Sequence, residues 1–230
     1  MSRGEWKYLL CGLLSIVVSV VFPDDQVASA QRFVDCTGNC ELEWSSVDDS
    51  LLGVVNRDGL WLYDVSEDED PEYYPLVNAT SLAFSPLGDR IAVTSCSSES
   101  PDGNTCFGVL SLFNISERRW EWTNEYEYGI ENVKFSPDAR YIAFHRNEFG
   151  ATGIEFVDLL EGNSFTIHHD DFTLLVRDFA FDSRSERVVI STGSSGWEGD
   201  AYMGMSVWSL ADQRFDAFLP ESMLVAALTF

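Results

Sequence analysis

Short apolar runs alternate with turn residues along most of this chain. In Asn132-Val133-Lys134-Phe135-Ser136-Pro137-Asp138-Ala139-Arg140-Tyr141-Ile142-Ala143-Phe144, Val133 and Phe135 alternate with polar neighbours and so point to one face of a strand. Ser136-Pro137 suits a type I turn, because proline presets φ at the second turn position. Tyr141 to Phe144 is apolar almost throughout, as a strand is when both faces of its sheet are covered. The same order recurs as Ser81-Leu82-Ala83-Phe84-Ser85-Pro86-Leu87-Gly88-Asp89-Arg90-Ile91-Ala92-Val93. A worn copy follows as Asp178-Phe179-Ala180-Phe181-Asp182-Ser183-Arg184-Ser185-Glu186-Arg187-Val188-Val189-Ile190.

The anchors Phe84, Phe135 and Phe181 have counterparts at Trp44 upstream and Phe230 downstream. The residue two before each anchor is Leu42, Leu82, Val133, Phe179 or Leu228, always apolar. A third strand follows each hairpin and ends in a short polar residue: Tyr63-Asp64, Phe113-Asn114, Val157-Asp158 and Trp208-Ser209. Such a residue can bond to backbone in the following turn. A fourth, weaker strand precedes each new anchor, at 73–76, 120–123, 164–167 and 214–219. A lone hairpin would expose its apolar side, so each unit needs a neighbour to stack on. Four strands per unit of roughly 40–50 residues is the signature of a propeller blade. The predicted fold is all-β, a β-propeller of four-stranded antiparallel blades starting near 41, 81, 132, 178 and 227. That amounts to four blades plus the first strand of a fifth, an incomplete ring. The alternative is that the last strand closes a four-bladed ring by joining the first blade. An open last blade would expose an apolar face and invite self-association.

The pattern resembles the WD-repeat β-propellers and, more closely, the looser propeller repeat of the TolB type, over residues 41–230. In both, an apolar-x-Phe-Ser-Pro-Asp-Gly hairpin opens the blade. This chain departs from it in three ways. No Gly-His pair precedes the first strand, the Trp-Asp ending survives only in the four variants above, and the turn glycine, kept at Gly88, is Ala139 in the next copy.

Composition narrows the function. The 230 residues include seven tryptophans and 13% aromatics, enough for a sizeable core. Asp and Glu total 38 against 14 Lys and Arg, a net charge of −24, and Lys7 and Lys134 are the only lysines. Phosphate binding needs a basic patch, so nucleic acid is excluded as a partner. Cations or basic partners are favoured instead.

Residues 1–30 read as an export signal: Arg3 and Lys7, an apolar run from Tyr8 to Phe22, then Ala28-Ser29-Ala30 as a cleavage site. The run falls short of the ~18–20 residues that a spanning helix needs. No membrane span is expected after cleavage; the competing reading is an uncleaved anchor. The mature domain is 31–230, exported, with residues 31–40 as a lead-in whose Phe33-Val34 would help complete a blade. Cys11 leaves with the signal. Cys36, Cys40, Cys96 and Cys106 remain, an even number in an exported chain, which favours disulfides. Of three connectivities we expect Cys36–Cys40 and Cys96–Cys106. The spacings do not match zinc motifs.

In propellers, the loops joining strands two and three share a face with the links between blades. Here those segments are long and carry Tyr126, Tyr128, Phe149, Phe172, Trp197 and Tyr202, the candidate binding residues. The competing reading is that these aromatics cover blade ends. The acidic run 67–72 and His168-His169-Asp170-Asp171 read as solvated loops rather than metal sites. No Ser-His-Asp set or carboxylate pair stands out, and no cofactor is expected. The reading is an exported, non-catalytic propeller scaffold binding a protein or peptide through its long-loop face. One alternative, implied by the resemblance, is the propeller portion of a larger prolyl-oligopeptidase-like hydrolase. Another is a cation- or sugar-binding propeller, resting on the acidic loops.

Overall fold

The computed structural model describes residues 15–18, 32–35, 40–67, 69–99, 106–148, 151–168, 174–194 and 204–220. All regular structure among them is β-strand. Strand β1 (Ser15–Val18) pairs antiparallel with β2 (Arg32–Asp35), placing Ile16 opposite Val34 and Val17 opposite Phe33. These two strands form a sheet of their own, so Phe33 and Val34 do not complete a blade as expected.

The remaining strands form four antiparallel sheets of four, each a simple meander. The first holds β3 (Glu41–Trp44), β4 (Leu51–Val55), β5 (Gly59–Asp64) and β6 (Glu72–Pro75). The second holds β7 (Ala79–Phe84), β8 (Arg90–Glu99), β9 (Cys106–Asn114) and β10 (Arg119–Glu125). The third holds β11 (Gly129–Phe135), β12 (Tyr141–Glu148), β13 (Ala151–Asp158) and β14 (Ser164–His168). The fourth holds β15 (Leu174–Phe181), β16 (Arg187–Ser194), β17 (Gly204–Ser209) and β18 (Arg214–Pro220). Four antiparallel four-stranded blades are what the repeat predicts. The copy expected at 227–230 lies outside the described residues.

The anchors occupy equivalent places. Trp44, Phe84, Phe135 and Phe181 each end an inner strand, opposite Leu52, Ile91, Ile142 and Val188. The hairpins turn as the sequence suggests. Gly88 N–H donates to Ser85 O at 2.9 Å, Ala139 N–H to Ser136 O at 2.8 Å and Ser185 N–H to Asp182 O at 3.0 Å. The residue closing each turn is left-handed: Gly88 at φ 71°, Ala139 at 59° and Ser185 at 58°. The short polar residue ending each third strand caps the next turn. Asp158 Oδ1 accepts from Leu160 and Glu161 N–H at 2.9 and 3.1 Å, and Asn114 Oδ1 from Glu117 N–H at 2.8 Å.

The core lies between blades. Leu51, Val55, Leu60 and Leu62 of the first blade pack against Leu82, Phe84, Ile91 and Val93 of the second. Leu110 and Leu112 of the second join Val133, Ile142 and Phe144 of the third. Ile154 and Phe156 of the third join Phe179, Phe181, Val188 and Ile190 of the fourth. Phe113, Phe144, Phe156 and Phe179 are fully buried, each contributing about 1.5–3 kcal/mol. One sheet alone would leave these surfaces in water, so the units are stable only as a stack.

Candidate functional site

The first strand of every blade is a sheet edge, with a row of backbone groups that no further strand pairs. Unpaired edges invite foreign strands. Here side chains from the preceding blade cap them. Glu43 Oε2 accepts from Phe84 N–H at 3.2 Å, first blade to second. Ser81 Oγ accepts from Val133 N–H at 3.1 Å, second to third. Lys134 Nζ donates to Phe179 O at 2.6 Å, third to fourth. These residues stand one or three places before the anchors, on the strand face opposite the apolar pairs. A β-bulge in each of β7, β11 and β15, beside Ser81, Asn132 and Asp178, helps to aim them across the seam.

The inner strands of all four blades line one cleft of about 580 Å3. Glu41 and Glu43 reach it from the first blade, Asn132 and Lys134 from the third. Leu82, Phe84, Val133, Phe135 and Phe181 supply apolar wall. Ser46, Pro86 and Pro137 also line it, which places its mouth at the Ser-Pro turns, opposite the long hairpins. Burial pushes both glutamates up to about 7; Lys134 pulls the other way without cancelling it. Glu43 is the more enclosed, while Glu41 keeps more contact with solvent.

Lys134 is committed elsewhere. It lies 2.7 Å from Asp178 Oδ1 and 5.1 Å above the Phe179 ring. Asn132 Nδ2 donates to the same Asp178 oxygen at 3.2 Å and sits 3.4 Å from His145 Nε2. Burial lowers His145 to about 4, so it is neutral near pH 7.

The long-hairpin face is built differently. β8 and β9 run for 10 and 9 residues and β12 and β13 for 8 each, against 5 and 6 for β4 and β5. The second to fourth blades therefore carry longer second strands than the first. A disulfide joins Cys96 to Cys106 across the base of the second blade's hairpin, as expected. Cys40 is also disulfide-bonded; its partner, and with it Cys36, lies outside the described residues.

Of the six candidate binding residues, the structure describes Tyr126 and Tyr128. Both sit in the seam between the second and third blades. Gly108 N–H donates to Tyr128 O at 2.9 Å and Gly108 O accepts from Tyr126 N–H at 2.8 Å, so this link pairs with β9. A Cβ on Gly108 would lie 2.7 Å from Tyr128 O. Tyr126 is buried against Phe144, ring centroids 5.2 Å apart. Tyr128 is half-buried beneath the Arg146 guanidinium at 3.8 Å and donates to Glu155. Phe149, Phe172, Trp197 and Tyr202 lie outside the described residues. Among those described, the exposed Phe107 marks this face beside the disulfide. No group of three or more His, Cys, Asp and Glu converges as metal ligands would among the described residues. No helix among them is long and apolar enough to cross a membrane.

Sequence reading missed the axial residues Glu41, Glu43, Ser81, Asn132, Lys134 and Asp178. Their signal was present. They fill the positions one and three before each anchor, where a polar side chain interrupts an apolar strand, and Lys134 is one of two lysines.

No family model matches the chain, and no curated protein does. Solved structures do. The Myceliophteria thermophila Cps50 (Swd1) β-propeller domain aligns over 78% of this chain and 55% of its own, at 11% identity and a TM-score of 0.59. TolB from Acinetobacter baumannii aligns over 91% and 49%, at 14% identity and a TM-score of 0.57. The tricorn protease aligns over 87% and 20%, at 13% identity and a TM-score of 0.55. The chain thus spans about half the length of the first two and a fifth of the third. The likeness shows the β-propeller fold.

Proposed function

We propose that this chain is an exported, non-catalytic propeller that binds a protein or peptide partner on its long-hairpin face. One observation carries the reading: the second to fourth blades extend their second strands on that face, whereas the first blade turns tightly at 56–58. Extended loops on a rigid scaffold are where binding usually resides. The Cys96–Cys106 bond stiffens one hairpin and exposed Phe107 sits beside it. Two disulfide-bonded sites, at Cys40 and at Cys96–Cys106, support export, and removal of residues 1–30 as a signal goes with it. Phe149, Phe172, Trp197 and Tyr202 are the aromatic contacts in this proposal; Tyr126 and Tyr128 fill the seam between the second and third blades.

The test is a pull-down from the source's extracytoplasmic fraction with the parent chain and with the F107A, F149A and W197A variants. The reading expects partners lost from the variants while their melting temperatures stay unchanged. Full retention by all three variants would contradict it.

A further inference from the structure

We infer that the axial cleft binds a lysine or arginine side chain presented by an extended peptide entering past the Ser-Pro turns. This site lies at the opposite end of the propeller from the long-hairpin face. At about 580 Å3 the cleft takes a few side chains rather than a folded domain. Its acidic lining comes from Glu41 and Glu43 alone. Two residues apart on β3, they share one strand face.

Neither carboxylate has a cation within ion-pair distance among the described residues. The Glu43 side chain accepts only the Phe84 N–H, and the Glu41 side chain shows no hydrogen bond among the described residues. Lys134, the cleft's one cation, is held by Asp178, Phe179 O and the Phe179 ring. Swinging it to the glutamates would take from Asp178 the cation it now pairs with. The Glu43 carboxylate, the more enclosed of the two, is costly to keep charged without a counter-ion. A cationic side chain from outside relieves that cost. Its aliphatic stem finds matching wall at Phe84, Val133 and Phe135.

The mouth favours a peptide over a free amine. Val47 and Leu87, 58% and 67% exposed, neighbour the lining residues Ser46 and Pro86. The two turns touch there: a Cβ on Gly88 would meet Val47 Cγ2 at 2.0 Å. They form an apolar shoulder for the residues flanking the inserted cation. The site also has a proton signature. Burial pushes both glutamates up to about 7, so a bound cation lowers them and releases protons.

The test is calorimetric titration of the full chain at pH 7 and low salt. The probes are Ac-Ser-Leu-Lys-Leu-Ser-NH2, the same peptide with norleucine for lysine, and N-acetyl-lysine amide. Expected are binding of the lysine peptide with proton release, at least tenfold weaker binding of the other two, and at least tenfold loss in the E41Q/E43Q variant. In the parent, the Phe84 amide resonance shifts on titration, a readout that needs no variant. The F107A variant, altered at the other end, binds the peptide unchanged. Absence of binding to the parent, equal affinity for the norleucine peptide, or unchanged affinity in E41Q/E43Q overturns the inference. Equal affinity for N-acetyl-lysine amide overturns its peptide part.

Discussion

Lys134 Nζ lies 2.7 Å from Asp178 Oδ1, joining the inner strands of the third and fourth blades. Asp178 is nearly buried, its side chain 11% exposed, and it also accepts from Asn132. Truncating the acid leaves a cation and an amide without that acceptor. Asp178→Ala is expected to cost about 2–4 kcal/mol, somewhat below the range for breaking a fully buried pair because Lys134 is 30% exposed. Lys134→Met alone takes from Asp178 its cation and leaves it only hydrogen bonds, from Asn132 and the Phe179 N–H among them. The K134M/D178L double variant should be more stable than the sum of the singles implies, by about 1–3 kcal/mol. Urea denaturation of the four proteins checks this; simple additivity would show that the pair does not couple the blades.

Stability should vary with pH in two opposed ways. Glu43 titrates near 7 folded against an ordinary 4.5, because burial disfavours its charge. Between those values the folded chain holds the extra proton, so stability falls as pH rises. His145 titrates near 4 folded against 6.5. Below 6.5 the unfolded chain takes a proton that the buried ring refuses, so stability falls as pH drops toward 4. Between pH 6.5 and 7 only the glutamate slope remains. Between pH 5 and 8 the parent should lose about 2 kcal/mol relative to Glu43→Gln, a figure reduced for hydration of the cleft. Parallel stability curves for the two proteins would contradict the assignment.

Gly88 and Ala139 occupy the same turn position, both left-handed. Alanine there carries a strain of about 1 kcal/mol that glycine avoids. Ala139→Gly should therefore stabilise the chain by about 0.5 kcal/mol, once glycine's greater freedom in the unfolded state is subtracted. Gly88→Ala should destabilise by about 1–2 kcal/mol, since the new Cβ also meets Val47. Thermal unfolding of both variants reads out the opposite signs.

The Cys96–Cys106 bridge closes a short loop. Its removal in C96S/C106S is expected to cost about 2–3 kcal/mol. The effect should be local, with amide protection falling at the ends of β8 and β9 and little elsewhere. A uniform loss across all four blades would contradict a bridge that stiffens one hairpin.

The sequence made the stack legible because the anchor and the residue two before it are apolar in every copy. That alternation survives the change of anchor from Trp44 to Phe84. The axial site is hidden for the opposite reason. The position before each anchor holds Glu43, Ala83, Lys134 and Ala180, and the position three before holds Glu41, Ser81, Asn132 and Asp178. No two of the charged members match, and their roles arise only when four strands share an axis. Tyr126 and Tyr128 show a second limit. An aromatic residue in an inter-blade link reads alike whether it fills a seam or awaits a partner. What places these two in the seam is Gly108, sixty-odd ångströms of chain away at full extension, whose missing Cβ lets the link's backbone pair with β9.

The first three blades each reach one blade forward to satisfy the neighbour's inner edge, and amide hydrogen exchange measures this most directly. In Glu43→Ala the Phe84 amide should lose protection, and in Ser81→Ala the Val133 amide should, while the amides beside each substitution keep theirs. Loss confined to the substituted blade, or spread evenly over all four, would contradict the account.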